Sequence, residues 1–220
     1  GIELTEAEII AGIRRAGSVV ADALAAASAA CVPGVTTADI DAVVRATIES
    51  AGGEPLFLGY RGSNASNMGV RPAYPASSCI SVNEQLVHGV PGSRVIREGD
   101  IVSIDAGARV DGWCADSAVS VCVGCVTADA CALVDCAEDM LARAIAAIRP
   151  GIRWSMVARE IEAIAVERGM SVAVDFVGRR FALRRQLPGA ADPIFRCLAG
   201  VVLQAFGQGC GLLAGELAVH

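Results

Sequence analysis

Lysine is absent from this chain: every one of its 18 basic residues is arginine. That usage points to a GC-rich gene and says little about mechanism. Positive charge is also in short supply, because 24 acidic residues leave a net charge of −6. A surface of that sign gives no electrostatic case for nucleic acid as a partner. No basic segment followed by an apolar one opens the chain, which argues against secretion and for a cytoplasmic protein. The first residue is Gly1 rather than Met, so the start is processed or the chain is a fragment. The nine cysteines then read as reduced thiols, mostly buried as small apolar residues. What is plentiful is apolar material. At 220 residues and 54% hydrophobic, one domain with a sizeable core is the expectation.

The order of the apolar and punctuating residues contains a repeat. Val32-Pro33-Gly34-Val35-Thr36 leads into a helical pattern ending at Ala51-Gly52, and Arg149-Pro150-Gly151-Ile152-Arg153 leads into another ending at Arg168-Gly169. The offset is 117 residues at both ends. An Ala-rich helical run precedes each Pro-Gly, over about residues 5–30 and 128–148. The unit is therefore helix, Pro-Gly turn, helix, then strands, and a duplicated α/β unit can place a site between its halves.

Between the copies, residues 74–118 set one histidine and two aspartates in a segment otherwise built to be buried. Asp105 ends the strand-like run Ile101-Val102-Ser103-Ile104, and Asp116 opens a second run through Val119 and Val121. Asp111-Gly112 between them is a turn signal, so a hairpin folded there brings both carboxylates together. Like charges side by side are unfavourable unless a cation neutralises them, and facing hard oxygen ligands suit divalent metals. His88, before Gly89-Val90-Pro91, falls in a turn near the same strands.

The motifs YPASSCISVNE, VHGVPG, EGDIVSID and DG-x3-DSA follow one another in this stretch, in an order and spacing that resemble the type I methionine aminopeptidases of the M24 metallopeptidases. The resemblance implies an α+β fold of two pseudo-symmetric halves, the pita-bread fold, here with an incomplete second half. It implies a two-metal hydrolase that removes the initiator methionine from nascent polypeptides, beside the ribosome and using Co, Mn, Fe or Zn. By position, Asp105 and Asp116 match metal ligands, the first chelating and the second bridging. His88 matches the histidine that hydrogen-bonds substrate and stabilises the tetrahedral intermediate, and Tyr74 and Cys79 match walls of the methionine pocket. YPASSC and VHGVPG favour this branch over relatives that cleave before proline or hydrolyse creatine.

Three departures accompany the resemblance. It holds through Gly178 and then fails: Arg179 stands where the family has a ligand histidine, and guanidinium offers donors only. Gln186 stands at the nominal position of the family's second substrate histidine, and no match is found for its two glutamate ligands, Glu216 being the sole glutamate of the tail. Net charge passes from −9 over residues 1–178, with 13 Arg against 22 acids, to +3 over residues 179–220, with five Arg against two. The expected division is thus a methionine aminopeptidase-like domain at 1–178, incomplete, and a divergent tail at 179–220, the product of a frameshift, altered splice or mispredicted exon, or else a lineage-specific tail. Ser63 to Ala73 also intervene between Tyr60, another pocket position, and Tyr74. Surface insertions of this length cost little by closure entropy.

Two signals have plainer readings. Cys122, Cys125, Cys131 and Cys136 give a C-x2-C with two more cysteines nearby, but they divide between a strand-like and a helical stretch, so a zinc site is not expected. The uncharged run from Cys197 to Gly215 approaches a membrane span in length, yet its Gln and Gly content favours a collapsed or disordered apolar tail. The expected function is a methionyl aminopeptidase impaired by missing ligands, with a non-catalytic peptide- or protein-binding role on the same scaffold as the alternative.

Overall fold

The computed structural model describes residues 7–61, 72–172 and 183–185. The first copy of the repeat opens with helices α1 (Ala7–Ala30) and α2 (Thr37–Ser50). A short strand β1 (Glu54–Pro55) follows, then β2 (Ser78–Val82), β3 (Ile101–Val110) and β4 (Trp113–Cys122). The second copy is α3 (Ala128–Ala147), α4 (Trp154–Glu167), β5 (Met170–Val172) and β6 (Leu183–Arg185). Residues 173–182 and 186–220, which include Arg179, Gln186, Glu216 and the Cys197–Gly215 run, lie outside the described residues, as do Gly62 and residues 63–71 of the insertion.

The 117-residue offset is kept through the tertiary structure. α1 and α3 end at equivalent residues, and α2 and α4 coincide at both ends. The buried faces agree position by position: Ile40, Val44 and Ile48 of α2 correspond to Val157, Ile161 and Ala165 of α4, all fully buried. Their spacing of four keeps one stripe against the partner helix, as a 3.6-residue period requires. Gly34 and Gly151 turn each chain between helices, and Gly52 and Gly169 close each second helix, all with φ between 69 and 99°. That left-handed region is open to glycine and strained for most other residues.

β3 is the spine of the main sheet. β4 pairs antiparallel along its whole length, β2 pairs with Val102–Ala106, and β1 with Ala108–Arg109. Asp111 (φ 50°) and Gly112 (φ 83°) form the two-residue turn between Val110 and Trp113, the geometry that an Asp-Gly hairpin favours. The hairpin is longer than the sequence runs suggested: β3 continues five residues past Asp105, and β4 begins three before Asp116. Backbone pairing extends through small residues such as Gly107 and Ala108, which carry no strand signal of their own.

Strand alternation sorts the sheet into two unlike faces. Val102, Ile104, Ala106 and Ala108 join Ile80 and Val82 in a core with α1 and α2. The opposite face carries Ser103, Asp105 and Gly107, with Cys79 and Ser81 from β2 and Asp116, Ala118 and Ser120 from β4. A second core joins α3, α4 and Met170 to Ile101 at the start of β3.

Candidate metal and substrate site

The antiparallel register determines how the site residues meet. Cys79 lies directly opposite Asp105, and Asp116 directly opposite Gly107. Asp105 and Asp116 are therefore diagonal neighbours on one face of the hairpin, a relation that places their Cα atoms about 7–8 Å apart. Asp105 is buried, and Oδ1 of Asp116 is shut away from solvent. Leu56 and Phe57 pack closely against Gly107: a Cβ at that position would stand 3.1 Å from Leu56 Cδ1 and 3.2 Å from Phe57 Cε1.

Tyr74 closes one side. Its hydroxyl lies 3.1 Å from the carbonyl oxygens of both Ser78 and Gly89, so it links the start of β2 to the turn that carries His88. Burial, a hydrogen bond with the Cys79 thiol and the charges of Asp41 and Asp105 hold the Tyr74 phenol above its ordinary value. Those interactions put Tyr74, Cys79 and Asp105 in one neighbourhood.

His88 is in the left-handed region at φ 59°, and its imidazole is exposed. The turn is held by the next residue. Gly89 donates its N–H to Ser81 Oγ at 3.1 Å and accepts from Ile80 N–H at 2.8 Å. A Cβ at Gly89 would collide with the Ile80 carbonyl, so only glycine permits this approach to β2.

Of the sequence-predicted residues, the structure brings together Tyr74, Cys79, Asp105 and Asp116, and places the His88 turn against the same strand. Tyr60 is 62% exposed. Around the insertion, Gly59 N–H donates to the Tyr74 carbonyl at 2.9 Å and Tyr74 N–H to the Tyr60 carbonyl at 2.8 Å, so the flanks stay joined.

Two supporting residues escaped the sequence reading. Asn83, at φ 52°, accepts from Ile101 N–H at 2.9 Å and donates to buried Asp100 at 2.7 Å. Asp41 of α2 accepts three hydrogen bonds at Oδ1, from the N–H groups of Ser77 and Ser78 and the Ser78 hydroxyl. The signal for Asp41 was an acid flanking the buried stripe of α2, which reads equally well as a solvated position.

Two carboxylates on a water-poor face are hard donors, and in kind they fit a divalent ion. In number they fall short of a closed centre: among the described residues no group of three or more His, Cys, Asp or Glu side chains is placed to hold a metal. The same applies to the cysteines. Cys122 and Cys131 are within hydrogen-bonding reach, but Cys136 is buried beside Met140 and Cys125 is exposed.

The chain is matched over residues 11–220 by the sequence model of metallopeptidase family M24. It is 36% identical over 178 residues to a methionine aminopeptidase of Aquifex aeolicus, covering 80% of this chain and 67% of that protein. It is 38% identical over 169 residues to methionine aminopeptidase 1 of Mycobacterium tuberculosis, covering 76% and 58%. The crystal structure of the Thermotoga maritima methionine aminopeptidase superimposes with a TM-score of 0.73 at 34% identity, over 92% of this chain and 78% of that one. The chain belongs to metallopeptidase family M24. Within it, the chain groups with the methionine aminopeptidases and has their pita-bread fold, while spanning between about half and two thirds of the length of several of its curated relatives. No helix among the described residues is long and apolar enough to cross a membrane.

Proposed function

We propose that this chain is a divalent-metal methionyl aminopeptidase that removes the initiator methionine from nascent polypeptides in the cytoplasm, beside the ribosome, with turnover impaired relative to its relatives. The observation that carries the reading is the placement of Asp105 and Asp116 as diagonal neighbours on one face, with Cys79 directly opposite Asp105. Asp105 and Asp116 would hold the metal, here Co, Mn, Fe or Zn, whose chemistry when bound would be Lewis acidity. Tyr74 and Cys79 present an aromatic ring and a soft thiol to the methionine side chain. His88, exposed on its turn, hydrogen-bonds the substrate backbone and steadies charge developing on the scissile carbonyl oxygen. Impairment follows from Arg179 standing in place of a ligand histidine, and from the lack of a sequence match for the family's two glutamate ligands.

That same shortage favours a second reading, in which the scaffold binds peptide N-termini or a protein partner without cleaving. Methionine release from Met-Ala-Ser, with Mn or Co added, is the test. Slow release is expected. Asp105→Asn should lower it by at least the 10- to 100-fold that even an outer-shell partner of a metal site is worth. Peptide binding without release would select the second reading, and absence of both would remove the two together.

A further inference from the structure

The structure assigns Asp41 as a positioning residue for the pocket wall: one carboxylate oxygen of α2 sets where Tyr74, Cys79 and the His88 turn stand. The inference rests on the proposed aminopeptidase site, and deepens it by naming what holds that site in register. Asp41 Oδ1 accepts from Ser77 N–H at 3.0 Å, from Ser78 N–H at 2.7 Å and from Ser78 Oγ at 2.6 Å. Ser77 and Ser78 are both almost wholly buried, so without Asp41 their donors would be left in the interior, where an unmet hydrogen-bonding group is costly.

The consequences run outward along bonded neighbours. The Ser78 carbonyl faces the Tyr74 hydroxyl, which also faces the Gly89 carbonyl next to His88. The residue after Ser78 is Cys79, whose partner across the ladder is Asp105. Asp41 itself lies beside Ile40, which is anchored in the core. A rigid helix thus holds the start of β2, and that strand start orients three side chains of the pocket. A site built on such elements needs placement within a fraction of an ångström, and a misplacement of about 1 Å can cost as much as 100-fold in turnover.

The test uses the full chain, with a C-terminally labelled Met-Ala-Ser peptide as the binding probe and spectrophotometric titration of the two tyrosines. In the parent chain Tyr74 should ionise only well above the ordinary tyrosine range. Asp41→Ala is expected to weaken peptide binding on the order of tenfold or more and to let Tyr74 ionise earlier. Asp41→Asn keeps an oxygen that accepts from the same three donors, and should restore most of both properties. Should Asp41→Ala fail to fold, Ser78→Ala, which removes only the hydroxyl bond, gives a smaller change in the same direction. A lowered melting temperature with unchanged peptide affinity and Tyr74 titration would overturn the assignment and leave Asp41 a structural residue. If the parent chain binds no peptide, the aminopeptidase reading fails, while the difference in Tyr74 titration between Asp41→Ala and Asp41→Asn, both of which lack the Asp41 charge, still decides whether Asp41 orders the wall.

Discussion

The two copies of the helical unit share the end of the first helix, both ends of the second and most of their buried positions, but they are stabilised differently at their ends. In the first copy, α2 starts with a capping box: the Thr36 hydroxyl accepts from Asp39 N–H while the Asp39 carboxylate accepts from Thr36 N–H. Its counterpart α4 starts at Arg153 with no side-chain cap. At the other end the asymmetry reverses. Arg168 of the second copy bonds Asp139 of α3 at 2.6 Å, where the first copy has Ala51. Helix pairs of this kind need one buried stripe and a turn, and several end devices serve equally well. Chemistry, by contrast, depends on the strands, and the paired carboxylates occur on the strands that follow α2.

Core substitution is the strongest way to break the comparison. Ile48 and Ala165 are equivalent and both fully buried. Ile48→Ala should destabilise by about 2–5 kcal/mol, whereas Ala165→Ile overpacks its core and should cost about 1–3 kcal/mol. Separate denaturant transitions for the two variants would show that the halves unfold independently, and a single shared transition that they are coupled.

The caps come next. Thr36→Ala should cost about 1 kcal/mol, and Arg153→Thr, which supplies the missing cap, should stabilise by a comparable or smaller amount; thermal melts of the pair measure both. Thr36 also creates a pH dependence. The Thr36 hydroxyl, and then its backbone N–H, hold the Asp39 carboxyl below its ordinary 3.8. Since the folded value is the lower one, this contribution is fully present above the unfolded value and is lost as pH falls through the folded one. Melting temperature measured below about pH 4 should therefore drop more in the parent chain than in Thr36→Ala.

The smallest effect belongs to Arg168. Both partners of its pair with Asp139 are more than one third exposed, so Arg168→Ala should cost less than about 1 kcal/mol, and less still in high salt. A salt-independent loss would show that the arginine stem, and not its charge, closes the second copy.

Much of this was legible in the sequence because it is local. Pro-Gly turns, the four-residue spacing of Ile40, Val44 and Ile48, and Asp111-Gly112 act through neighbours along the chain, so helix boundaries and the hairpin could be placed from them. The pairing of Asp105 with Asp116 followed from the hairpin, since a two-residue turn sets the register of everything behind it. Asp41 was not legible. Its partners lie 36 and 37 residues away, and an acid on the flank of an amphipathic helix looks the same whether water or Ser78 receives it.

The sequence by itself thus determined the duplicated helices, the hairpin register and the carboxylate pair, through periodicity and turn chemistry that need no distant partner. Tertiary structure alone decided which face of the sheet the carboxylates occupy relative to the helices, that the flanks of the insertion stay joined, and that α2 fixes the pocket wall. Each of those depends on hydrogen bonds or burial between segments far apart in the chain, and such contacts leave no periodic trace in the order of residues.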